Sequence, residues 1–69
     1  MRLLRELHTS TDADAEALRL ARERLPRGEE QVRPFAPHGI SVVRWGEDGW
    51  VIVHSWPERG LLTLDGWLR

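Results

Sequence analysis

The side chains able to do chemistry gather in the second half of the chain. Ser41, His54, Ser55 and Glu58 offer hydroxyl, imidazole and carboxylate groups, the types used in nucleophilic and general acid–base work. Phe35, set between Pro34 and Pro37, adds an aromatic surface at the edge of that region. A Ser–His hydrolase is the first chemistry these residues suggest. It fits poorly, because nothing supplies the oxyanion donors or the strained nucleophile turn that acyl transfer requires. Ser55 also adjoins His54 in a strand-like stretch, where successive side chains point to opposite faces.

Composition narrows the chemistry further. The 69 residues contain no Cys, which removes disulfides, thiolate zinc sites and cysteine nucleophiles together. All ten basic residues are Arg, so lysine Schiff-base chemistry and a lysine-tethered pyridoxal cofactor are excluded. His8, His38 and His54 are too scattered to read as a chelating cluster, and no metal site is expected. A net charge of −1 gives no bulk attraction to nucleic acid or acidic lipid. No apolar run approaches the roughly 18 residues of a membrane span. The opening MRLLRELHTSTDADAE turns acidic where a signal peptide needs its apolar stretch. These features lead us to expect a soluble, cytoplasmic protein.

The elements that must position these groups are legible from periodicity. The whole chain, residues 1–69, reads as a single domain. Arg2–His8 fits a short strand and fits a helical turn nearly as well. Ser10-Thr11-Asp12 is a helix-start signal, with Asp12, Asp14 and Glu16 suited to a positive helix N-terminus. Ala17, Leu18, Ala21 and Leu25 then recur at helical spacing, and Leu25-Pro26-Arg27-Gly28 stops the helix. The helix charges are expected to form a solvated face, and His38 to be a loop residue with no inferable role.

From residue 31 the period changes to two. Gln31–Phe35, Ile40–Trp45, Trp50–Trp56 and Leu61–Leu68 read as four strands. The expected fold is α+β, in the order β-α-β-β-β-β, with one helix on a mainly antiparallel sheet. Asp48-Gly49 between two strands has the preferred composition of a tight hairpin turn.

In Trp50–Trp56 one face carries Trp50, Ile52, His54 and Trp56, and the other carries Val51, Val53 and Ser55. Both are largely apolar, as in strands covered on both sides. One short helix covers one face, so a second copy of the chain is the simplest cover for the other. A small domain without disulfides or metal also looks to association for stability.

Two motifs are more specific than regular structure needs. Phe35-Ala-Pro-His-Gly39-Ile-Ser41 is followed by His54-Ser-Trp-Pro57-Glu58-Arg-Gly60. They resemble the F-x-P-x-G-x-S and H-x-x-P-E-x-G signature of the bacterial-type S-adenosylmethionine decarboxylases, at similar spacing. The resemblance covers residues 33–68 and implies half of that family's fold, in which two protomers bring their sheets together. It also implies a place in polyamine (spermidine) biosynthesis. Family members cleave their own backbone at a Glu-Ser bond, and the serine becomes a pyruvoyl group that binds S-adenosylmethionine and drives loss of carbon dioxide. By resemblance Phe35 stacks on the adenine and Glu58 accepts from the ribose hydroxyls, with His54 beside the ligand. Ser41 and His54 correspond to residues that assist processing.

The chain departs from the pattern where the chemistry is made. The cleavage dipeptide falls on Asp48-Gly49, and glycine has no hydroxyl for the acyl shift or the elimination that follows. The family's acid cysteine is replaced by Arg69. We therefore expect no pyruvoyl cofactor, no confident catalytic residue, and a non-catalytic adenosyl-ligand-binding or regulatory subunit. Its partner would be a second copy or an active paralogue. The alternatives are an enzyme of altered, pyruvoyl-independent chemistry through His54 and Glu58, and a purely structural interaction module.

Overall fold

The computed structural model describes all of residues 1–69. Its elements are β1 (Arg2–Thr9), α1 (Ala13–Arg24), β2 (Glu29–Pro34), β3 (Ile40–Gly46), β4 (Gly49–Trp56), a 3₁₀ turn (Pro57–Arg59) and β5 (Leu61–Leu68). The class is α+β in the expected element order. The sheet runs β1-β5-β4-β3-β2, and every neighbouring pair is antiparallel. Arg2–His8, ambiguous on its own, is a strand because β5 offers it a full ladder from Arg2↔Leu68 to Thr9↔Leu61. Non-local pairing settles what local propensity leaves open.

One helix lies on one face. Ala13, Ala17, Leu20, Ala21 and Leu25 pack on Val42, Val51, Val53, Leu62 and Leu64. The alanines are small, so the helix approaches β3 and β4 closely. Leu18, expected in the core, sits half-buried at its margin, and Leu20 takes the interior place. At 3.6 residues per turn Leu20 lies about 60° from Ala17 around the axis and Leu18 about 100°, which decides between them.

Polar anchors fix the helix at both ends. Asp12 holds the N-cap position with no side-chain bond to the helix, and Ser10 Oγ instead accepts from Asp12 N at 3.0 Å. Asp14 accepts from Ser55 Oγ at 2.5 Å, while Ser55 Oγ accepts from the Ile40 amide at 2.8 Å. At the C-terminus the buried Arg44 donates to the Leu25 carbonyl at 2.7 Å, the Pro26 carbonyl at 3.2 Å and Glu30 at 2.8 Å. A cation there satisfies carbonyls the helix leaves open and suits its dipole.

The helix arginines do not form one solvated face. Arg19 stays on the helix with Glu16 and Glu23. Arg22 reaches Glu30 on β2 through two bonds, and Arg24 reaches Glu6 on β1 through two bonds, so the helix is clamped to both edge strands. The Arg22 guanidinium, helped by Arg44, holds the Glu30 carboxyl at about 2. Arg24, helped by His8, does the same for Glu6.

The face away from α1 is open. Val51, Val53 and Ser55 are buried beneath the helix, whereas Trp50 and Trp56 on the other side of β4 stand 44% and 45% exposed. The expectation that α1 covers only one face holds. No helix is long and apolar enough to cross a membrane.

Candidate functional site

The resembling motifs meet at one end of the sheet. β2 runs Glu29–Pro34, beginning two residues and ending one residue earlier than the expected Gln31–Phe35. Phe35 is thereby released from the strand, and its amide donates to the Gly39 carbonyl at 2.8 Å, closing a tight loop. Gly39 has φ +100°, and a side chain there would meet the Ser55 carbonyl. Glycine lets this loop lie against the end of β4. On the β4 side, Trp56 ends the strand, and Pro57 opens the 3₁₀ turn that carries Glu58.

Between loop and turn is a cup of about 440 Å³. Phe35, Pro37, His38, Trp56 and Glu58 are among its lining residues. The volume lies within the roughly 300–1,000 Å³ common for small-ligand sites. The lining contains one carboxylate and no arginine, which suits a neutral or cationic ligand better than an anion. Phe35 is half exposed, so an aromatic face is available to a ligand.

His54, expected to bind the ligand, is not among the residues lining the cup, but its ring neighbours two that are. Its ring lies between those of Phe35 and Trp56, with centroids 5.7 and 6.3 Å away. Ser41, directly opposite on β3, shares a hydrogen bond with His54 Nδ1. That bond sets the ring's orientation and leaves Nε2 without a partner in the chain. Ser55 faces the helix, as strand alternation requires, and cannot join a triad with His54.

The expected site residues therefore divide. Phe35, Ser41, His54 and Glu58 converge on one corner. Asp48 and Gly49 do not: Gly49 opens β4 and His54 lies near its far end, five residues or about 17 Å along an extended strand. Within one chain His54 cannot reach residue 49. The hairpin also differs in detail from the Asp-Gly turn expected. Glu47 and Asp48 form the turn, and Gly46 pairs with Gly49.

Gly49 has φ +137°, and a Cβ placed there would overlap the Trp67 carbonyl oxygen. The backbone at this position is built for glycine. No group of three or more metal-ligating side chains comes together in the fold. His38 and Trp56 were not singled out for the site in the sequence. The signal available was adjacency, since each sits inside or beside a motif.

A scan against protein-family models, a search of curated proteins and a search of solved structures found no significant match.

Proposed function

We propose that this protein is a non-catalytic relative of the bacterial-type S-adenosylmethionine decarboxylases that binds an adenosyl ligand in the Phe35–Glu58 cup. One observation carries the reading: Phe35 and Glu58 lie on separate motifs and line the same cavity. An aromatic face beside a carboxylate is a recurrent arrangement for a base and its ribose. The lack of arginine in the lining favours a sulfonium-bearing ligand over a phosphorylated one. Gly49 supports the non-catalytic half of the proposal, since it has no hydroxyl and its conformation excludes a side chain.

Isothermal titration with S-adenosylmethionine and its decarboxylated product tests it. Saturable heat, with affinity weakened about tenfold in Phe35→Ala and weakened also in Glu58→Gln, is the expected outcome. Absence of heat at millimolar ligand refutes it.

The Ser41–His54 bond favours a second reading. An oriented imidazole with a free Nε2 beside the cup is suited to acid–base chemistry on the same ligand class. Mass spectrometry of ligand incubated with wild type and with His54→Ala decides this; equal conversion in both removes it.

A further inference from the structure

The two edges of the sheet differ in what they leave unpaired. Along an antiparallel strand, backbone groups point alternately to one side and the other. The Phe35 amide donates to the Gly39 carbonyl, continuing the β2–β3 register. Odd-numbered residues of β2 therefore bond to β3, and Glu30, Val32 and Pro34 face outward. Pro34 brings no donor to that short row, the usual way an edge is closed to further strands.

β1 is the opposite case. The Ser10 amide donates to the Gly60 carbonyl at 2.9 Å, continuing the β1–β5 register. Even-numbered residues thus bond to β5, and Leu3, Arg5, Leu7 and Thr9 turn their amides and carbonyls outward. The strand has 8 residues, no proline and an unbroken ladder. Leu3 and Leu7 are each 69% exposed, and α1 packs on β3, β4 and β5, which leaves this edge uncovered. A long, regular, open edge is a template for another strand.

Charge complementarity identifies that strand. In a two-fold antiparallel pair, one residue of β1 meets its own copy. Centring on Arg5 or on Glu6 sets like charges against each other, which is unfavourable. Centring on Leu3 sets Arg2 against a leucine. Centring on Leu4 places Arg2 opposite the partner's Glu6, Leu4 opposite the partner's Leu4, and Met1 opposite the partner's Leu7. Leu3 and the partner's Arg5 then exchange backbone bonds through the groups that β1 turns outward. Glu6 has room for the second arginine: its Oε1 accepts from Arg24 and pairs with His8, but its Oε2 accepts from Arg24 alone.

We propose that two copies of this chain join edge to edge through β1, antiparallel and centred on Leu4, so that two five-stranded sheets run on as one. Both helices then lie on the same side, and the tryptophan side of each sheet stays open. Nothing in this pairing depends on the ligand held in the cup.

A cysteine cross-link reads the register directly, because the chain contains no Cys. The two Leu4 residues would form a non-hydrogen-bonded pair about 4.5 Å apart at Cα, within disulfide reach. Leu4→Cys should oxidise to a species of twice the 8.0 kDa chain mass. It should do so about tenfold faster than Leu3→Cys or Arg5→Cys, whose copies stand out of register. Sedimentation equilibrium of wild type at millimolar chain should give the same doubled mass.

Arg2→Glu should weaken association about tenfold, since it faces the partner's Glu6 with a like charge. Arg5→Pro removes an outward donor, spares the β5 ladder and should give the single-chain mass. Trp50→Glu on the open face should remain dimeric. If circular dichroism shows that Arg5→Pro does not fold, the exposed Arg2→Glu carries the test. A wild type monomeric at millimolar concentration overturns the proposal and leaves the edge to an extended segment of another protein. Equal cross-linking at the three positions overturns it as well, as does a dimer that survives both Arg2→Glu and Arg5→Pro.

Discussion

The two faces of β4 are both largely apolar and have opposite fates. Val51 and Val53 are fully buried beneath α1, while Trp50 and Trp56, the larger residues, remain 44% and 45% exposed. Apolarity therefore does not decide which face the chain buries for itself. The helix packs its alanines and leucines on the face that carries Val51 and Val53, and the indoles stand on the side it leaves open. The covered face holds the fold together, and the open face stands exposed in the single chain.

Substitutions can break or sharpen this contrast. The largest expected effect is on the covered face, where Leu64→Ala should cost about 3 kcal/mol in urea unfolding. Trp67→Ala on the open face should cost under about 1 kcal/mol in dilute solution. A loss at Trp67 that grows with chain concentration would belong to association rather than to the fold.

Gly49→Ser comes next, at about 2 kcal/mol, because a side chain must enter a glycine-only conformation against the Trp67 carbonyl. The intact mass of the wild type should show one uncleaved species. Fragments split at residue 48 would contradict the account of this hairpin and of the missing hydroxyl.

A smaller effect tests the clamp that ties the covered face together. Arg22 and Arg44 depress the Glu30 carboxyl from 4.5 to about 2. A depressed carboxyl stabilises the fold fully above its ordinary value and loses that contribution as pH falls toward the folded value. Stability should thus drop between about pH 5 and pH 2 by on the order of 1–2 kcal/mol, and Glu30→Gln should flatten the decline. An unchanged acid limb in that variant would locate the sensitivity elsewhere, with Glu6 the next group to test.

The smallest stability effect is expected at Phe35. Half exposed in a loop, it should cost under about 0.5 kcal/mol when replaced by Ala. Binding of the adenosyl ligand should nevertheless weaken about tenfold if the ring stacks on a base. Equal affinity in both proteins would leave the cup without its aromatic platform.

Much of this was legible in the residues. The helix, the hairpins and four of the five strands follow from near-neighbour patterns, since helical and strand periods and turn residues act over a few positions. The two-sided character of Trp50–Trp56 was equally plain. Less legible was Arg44, which reads as one strand residue among others and is in fact the buried cap of α1. Its role depends on where the helix ends in space, which no local pattern states.

The sequence alone determined the order of elements and the alternation along each strand, because these depend on composition and short-range spacing. Tertiary structure alone decided that α1 lies on the valine side of β4 and that Phe35, His38, Trp56 and Glu58 border one cup. Strand order and register decide such placements, and both are set by pairings between residues far apart in the chain.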